Sequence, residues 1–154
     1  MATSSKTKKT NELGVRPVGE INHVGSYAIY GRSGSGKTTL SSTFPKPILL
    51  LDIRDKGTDS ISDVKGVFVK EVEDVEDVED VYHYLIDNPK EYKTVVFDTV
   101  TELQKLVMRK IVQGKKKKVD EQRIGDWGTM AKRDWGDVGA GMNGWISSFV
   151  ELSL

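Results

Sequence analysis

No cysteine occurs anywhere in the 154 residues. That excludes disulfides, thiol catalysis and cysteine-based zinc or iron–sulfur centres. Histidine is nearly as scarce: His23 and His83 stand alone, without the close spacing of a metal-ligand pair. Long apolar runs are missing too. None approaches the roughly 20 residues that span a bilayer, and no apolar segment follows the N-terminal lysines as a secretory signal requires. The chain is therefore expected in the cytoplasm, away from membranes. A surplus of either charge is also absent, since 23 basic residues balance 23 acidic ones. The balance is global rather than local: acids dominate from Asp52 to Glu91, and bases dominate from Lys105 to Arg123. Such asymmetry permits a nucleic-acid contact through the basic part without establishing one.

What is present fits one globular domain, with 37% hydrophobic and 30% charged residues. Residues 1–22 are rich in Ser, Thr, Lys, Gly and Pro and read as a flexible basic arm; residues 23–154 read as the domain. Ser26–Tyr30 is a short apolar run of strand type. Lys37–Thr43 reads as a helix, closed by Pro45 and Pro47. Ile48–Leu51 is apolar throughout, as expected of a strand buried on both faces. Val67–Val69 is a shorter strand. The threefold Val-Glu-Asp repeat then opens a helix over about 74–87, whose face carries Val75, Val78, Tyr82, Leu85 and Ile86. Thr94–Asp98 is the next strand, and Thr99 or Thr101 is placed to cap the helix after it. Gly114 and the lysines that follow read as a loop. A last helix from about Val138 places Met142, Trp145, Ile146, Phe149 and Val150 on one stripe. Strands alternating with helices point to an α/β fold with a mainly parallel sheet.

One segment carries most of the chemistry. Gly31-Arg32-Ser33-Gly34-Ser35-Gly36-Lys37-Thr38 meets the pattern G-x-x-x-x-G-K-[ST]. Its glycines let the backbone curl so that successive N–H groups face one concavity. That concavity opens onto a helix start, where free N–H groups favour phosphate. Lys37 adds a full charge toward the β- and γ-phosphates, the Thr38 hydroxyl can sit on Mg2+, and Thr39 lies beside it. A chance Gly/Ser-rich turn would also satisfy the bare pattern. The strand-like run before it and the helix-like run after it favour the phosphate reading.

A magnesium-nucleotide site needs a carboxylate at the end of a neighbouring strand. Asp98 fits best, after four apolar or β-branched residues; Asp52 has the same strand-then-acid layout. Either could instead be a plain loop acid. Hydrolysis further needs a group that orients water. Asp55 is the preferred candidate, with Asp52 beside it and Glu102 farther off.

Taken together, Gly31–Thr38, Ile48–Asp52 followed by Asp55-Lys56-Gly57, and Thr94–Leu103 resemble phage nucleotide-binding proteins with an AAA-type, RecA-like P-loop ATPase core. The resemblance covers roughly residues 26–111. It implies a three-layer α/β/α fold and an ATPase assisting phage DNA recombination or single-strand annealing, at work in the host cytoplasm. It also implies Lys37 and Thr38 at the phosphates and metal, Asp98 as the second-motif acid, and a base near Asp55. In RecA itself that base is a glutamate just after the strand, whereas here the corresponding stretch is Asp52-Ile53-Arg54-Asp55. The family sheet further implies a strand inserted between the phosphate-loop strand and the second-motif strand. No apolar strand follows the last helix before Leu154, so either the core is truncated at its C-terminus, the favoured expectation, or the Asp98 strand pairs directly with the phosphate-loop strand, as in kinases and GTPases.

Weaker signals remain open. Lys115, Lys116, Lys117 and Lys118 could contact phosphates of single-stranded DNA, with Trp127 and Trp135 stacking on bases. A solvated loop and two core tryptophans are the plainer alternative. Arg109, Arg123 or Arg133 could reach a neighbour's nucleotide in a homo-oligomer, although a surface arginine is the simpler reading of each. Two rival functions stay on the page. A small-molecule or nucleotide kinase would need a lid and an acceptor pocket. A non-catalytic, nucleotide-gated interaction module would need neither. The Asn-Lys-x-Asp base-reading motif of many GTPases is absent, which favours ATP.

Overall fold

The computed structural model describes residues 25–54, 57–116 and 132–152. In chain order the elements are α1 (Lys37–Ser41), β1 (Ile48–Ile53), a 3-10 turn (Gly57–Ile61), β2 (Val67–Val72), α2 (Val75–Asp87), β3 (Thr94–Asp98), α3 (Val100–Lys116) and α4 (Lys132–Val150). The three strands form one parallel sheet in the order β2-β1-β3.

The central strand follows from its sequence. Ile48-Leu49-Leu50-Leu51 has no polar side to offer solvent, and every residue of β1 is buried. Lys93 N–H donates to the Pro47 carbonyl at 2.8 Å and Ile48 N–H to the Gly66 carbonyl at 2.9 Å. These bonds set the register in which Asp52 lies beside both Glu71 and Asp98.

Alternation along β1 divides the molecule into two faces. Leu49, Leu51 and Ile53 point toward α2, α3 and α4, where they join Val75, Val78, Val81, Leu85, Leu103, Leu106, Val107, Val138, Met142 and Phe149. Burying each large apolar side chain there is worth about 1.5–3 kcal/mol. Ile48, Leu50 and Asp52 point the other way, toward α1 and the 3-10 turn. The result is an α/β/α sandwich, thick on one side and thin on the other.

Local signals account for the helix ends. Asp74 accepts from Asp77 N–H while Asp77 accepts from Asp74 N–H, a capping box at the start of α2. Thr99 caps α3, its Oγ1 accepting from Glu102 N–H at 3.3 Å. Antiparallel packing of α3 on α4 follows from two contacts. A Cβ on Gly141 would sit 3.2 Å from Val107 Cγ1, so only glycine allows this close approach without a shift. At the far end Phe149 meets the Phe97 ring edge-on at 4.8 Å between centroids.

Four expectations need correction. Ser26–Tyr30 is not a strand. It forms no ladder, and Tyr27 instead stacks on Phe44 at 5.4 Å beyond the end of α1. A strand exists through its hydrogen-bonded neighbours, and the outer edge of β3 pairs with no described residue. Second, α3 runs through Gly114 into Lys115 and Lys116 instead of breaking into a loop there; an open side of a helix tolerates a glycine at a cost of about 1 kcal/mol. Third, α4 begins at Lys132, well over one turn before the expected start near Val138. Fourth, Ile86 and, on α4, Ile146 and Val150 are exposed while Val138 is fully buried. On α4 the inward stripe is Val138, Met142, Trp145 and Phe149, rotated from the expected one because Gly141 sets which side of the helix approaches α3. No helix among the described residues is long and apolar enough to cross a membrane.

Candidate nucleotide-binding site

The phosphate loop takes its shape from two glycines. Gly34 and Gly36 have φ of 74° and 81°, a left-handed conformation that costs other residues about 1–2 kcal/mol. Gly36 is also the N-cap of α1 and brings no capping side chain, so the first N–H groups of the helix are left to a ligand. Arg32 closes the turn, its carbonyl accepting from Ser35 N–H at 3.2 Å. Gly31, Arg32, Ser33, Gly34, Ser35 and Gly36 are all exposed, as is Thr39, while Lys37 and Thr38 are half-buried at the base of the loop.

Lys37 folds back over this cradle. Its Nζ donates to the Gly31 carbonyl at 3.1 Å and to the Arg32 carbonyl at 3.0 Å. These bonds hold an ammonium above the free N–H groups, where anionic oxygens can replace the two carbonyls as partners.

A side-chain hydrogen bond ties the loop to the sheet. Thr38 Oγ1 donates to Asp98 Oδ2 at 2.6 Å, joining residues 60 positions apart in sequence. A hydroxyl and a carboxylate in contact form a hard oxygen pair, the donor type that suits Mg2+. No group of three or more His, Cys, Asp or Glu side chains is gathered among the described residues. Thr38 and Asp98 could hold a magnesium ion only together with other oxygen donors, such as those of a phosphate and water.

Asp52 is part of the same corner. It is 7% exposed and occupies the strand position next to Asp98. Positions paired in register lie about 4.8 Å apart and point to the same face, so both acids face α1. This concentration of negative charge at the carboxyl end of the sheet favours a cation between strand ends and phosphate. Glu102, the more distant candidate, is engaged elsewhere: its carboxylate accepts from Lys105. Asp55, preferred as base, lies outside the described residues, as do the N-terminal arm, Lys117, Lys118, Arg123, Trp127 and the side chains of Lys115, Lys116 and Arg133. Trp135 is 50% exposed and so is not a core residue.

Gly57 is a neighbour that residue types alone did not single out as a site residue. A Cβ on it would stand 3.9 Å from Thr38 Oγ1, so the turn after β1 passes directly over the Thr38 hydroxyl. Nothing in the spacing announces this; it depends on how the turn folds back across α1.

A Gly-rich loop opening onto a helix start, a lysine folded over it, and a loop threonine bonded to a strand-end aspartate are the features of a P-loop nucleotide-binding protein. The family model of the AAA domain matches residues 25–152. The chain belongs to this AAA domain family, a nucleotide-binding, ATPase-like group. Comparison with curated proteins and with solved structures returns no match.

Proposed function

We propose that this protein is a magnesium-dependent ATPase that assists DNA recombination or single-strand annealing in a phage setting. The observation carrying the ATPase reading is the 2.6 Å bond from Thr38 to Asp98. It supports the reading because a threonine hydroxyl and a strand-end carboxylate in contact are the residue types that would hold a nucleotide-bound magnesium. A bound Mg2+ would neutralise charge on the β- and γ-phosphates. Lys37 binds and orients the phosphate chain, the loop N–H groups hold it, and Asp98 keeps Thr38 in place. Asp52 and Asp55 supply the acids beside the site that can accept a proton from water, with Asp55 the preferred base.

The single-stranded DNA reading draws on the α3–α4 pair. Antiparallel packing brings the start of α4, with exposed Trp135, toward the end of α3, where the lysine run begins. A base-stacking ring next to a basic segment is the pairing that single strands favour. ATP turnover measured with and without single-stranded DNA tests the proposal. DNA-stimulated turnover lost in Lys37→Ala supports it; a turnover rate that is the same in Lys37→Ala sinks it.

A second reading has its own observation. Residues 25–30 form no ladder with the sheet, so the loop is tied to β3 through Thr38–Asp98. A nucleotide-gated interaction module that binds without turnover fits that looser attachment. Tight ATP binding with no hydrolysis under any DNA condition selects it.

A further inference from the structure

The outer edge of β2 has the sequence of an interior strand in the position of an edge strand. Val67-Phe68-Val69 is apolar on both faces of the sheet, as a strand covered on both sides would be. Yet in the order β2-β1-β3 this strand stands at the end, and its outer backbone pairs with no described residue. Phe68 lies in register with Leu49 on the helix-covered face and is 52% exposed. Val69 lies in register with Leu50 on the thin face and is 46% exposed. Between the strand and the 3-10 turn a hollow of about 220 Å³ is lined in part by Ile61, Val64, Val67 and Val69.

The devices that usually blunt an edge are missing. Val67–Val72 contains no proline or glycine. Its residues pair one to one with Ile48–Ile53, so no bulge twists the edge away. Lys70, the charge that would repel another strand, is neutralised by Asp77 at 2.6 Å.

We propose that this edge is a self-association surface, on which β2 of a second copy pairs antiparallel about a two-fold axis at Val69. The strand is complementary to itself in that register. On the thin face Val69 meets its own counterpart, and Val67 stands opposite the partner's Glu71. On the helix-covered face Phe68 stands opposite the partner's Lys70, a ring beside a cationic side chain. No like charges are opposed. An axis at Lys70 or Glu71 would instead set like charge on like charge, which is destabilising. The two sheets become one, in the order β3-β1-β2-β2-β1-β3, with the helices of both copies on the same face. Both phosphate loops, tied to β3, stay at the far ends of that sheet, so association does not require nucleotide. A contact of one short strand is smaller than a standard interface, so the dimer is weak and depends on concentration.

The chain has no cysteine, so a single introduced thiol reports the register. Facing Cβ atoms of antiparallel neighbours lie about 4.5–5.5 Å apart, close enough for a disulfide after a small shift. Val69→Cys is expected to form a covalent dimer under mild oxidation. Glu71→Cys, whose counterpart lies farther along the strand, is expected to stay a single chain. Sedimentation of the parent chain is expected to show a mass that rises from one chain toward two with concentration. Val69→Lys, which places like charges on the axis, is expected to weaken association by about tenfold or more, with an amide spectrum that shows the domain folded. Ile146→Lys, on the exposed side of α4, is the charge control and is expected to leave association unchanged. The surface is overturned by a single-chain mass at every concentration or by Val69→Lys associating as tightly as the parent. It is equally overturned if Glu71→Cys cross-links as fast as Val69→Cys, or if Ile146→Lys weakens association as much as Val69→Lys.

Discussion

The two faces of the sheet are built on different principles. Toward α2, α3 and α4, Leu49, Leu51 and Ile53 enter a continuous apolar core closed by ring contacts such as Phe97 on Phe149. Toward α1 the covering is a five-residue helix and a short turn, and its link to β3 is polar: Thr38 bonded to Asp98. The first face gains free energy from area removed from water, which is non-directional and tolerant of small shifts. The second depends on hydrogen-bond geometry and free N–H groups, which are directional and hold little area. Folding stability should therefore reside on one face and ligand affinity on the other, separated by a single strand.

The largest effect should come from hollowing the thick face. Leu51→Ala removes a fully buried side chain and is expected to cost about 2–5 kcal/mol of stability. Thermal unfolding reads the loss, while nucleotide affinity per folded molecule should stay at the parent value. An altered affinity would break the separation between faces.

Lys37→Ala makes the reverse cut. Its ammonium contacts only carbonyls of its own loop among the described residues, so the melting temperature should hold. Charge-assisted bonds to phosphate are worth about 1.5–3 kcal/mol, so affinity for a fluorescent ATP analogue should fall about 10- to 100-fold. Asp98→Asn sharpens the comparison further. It leaves a partner for the Thr38 hydroxyl but removes the charge, so the gain in nucleotide affinity on adding Mg2+ should shrink more than affinity in EDTA does. An unchanged magnesium effect would separate Asp98 from the metal.

Smaller effects belong to the rim of the thick face. Asp74→Ala removes the α2 cap and should lower stability by about 1 kcal/mol, visible as a modest fall in urea midpoint without change in binding. The mildest is a pH effect. The hydrogen bond from Lys70, then that from Glu73 N–H, holds the Asp77 carboxyl below its ordinary value of 3.8. A carboxyl lowered on folding stabilises above its unfolded pKa and loses that contribution as pH falls through the folded one. Stability from Asp77 should be complete at neutral pH and decay below about pH 4. Asp77→Asn should flatten urea midpoints across that acidic range; parallel curves for parent and variant would discount the pair.

Legibility in the sequence followed the range of the interactions. The phosphate loop could be read because its glycines, lysine and threonine are contiguous, and its shape comes from φ angles that only those residues favour. Thr94–Asp98 was bounded correctly because β-branched residues end abruptly at an acid, and the start of α2 because Asp74 and Asp77 cap it locally. Ser26–Tyr30 misled for the opposite reason. Its composition is that of a strand, but a strand needs a hydrogen-bonded neighbour, and composition cannot say whether one is there. On α4, Ile146 and Val150 were assigned inward by apolarity alone, while the close approach at Gly141 turned them outward. Gly57 over Thr38 had no spacing signal at all, since it joins segments that meet only after the chain crosses the sheet.

By itself, then, the sequence determined the residue types of the loop proposed to hold a nucleotide: the glycines and lysine of Gly31–Lys37 and the hydroxyl of Thr38. Those properties belong to neighbours along the chain and to backbone preferences that act locally. Only the tertiary structure decided that Asp98 is the acid bonded to Thr38 and that Asp52 stands beside it in register. Partners distant in sequence are chosen by strand order and register, which the apolar core of the whole domain selects.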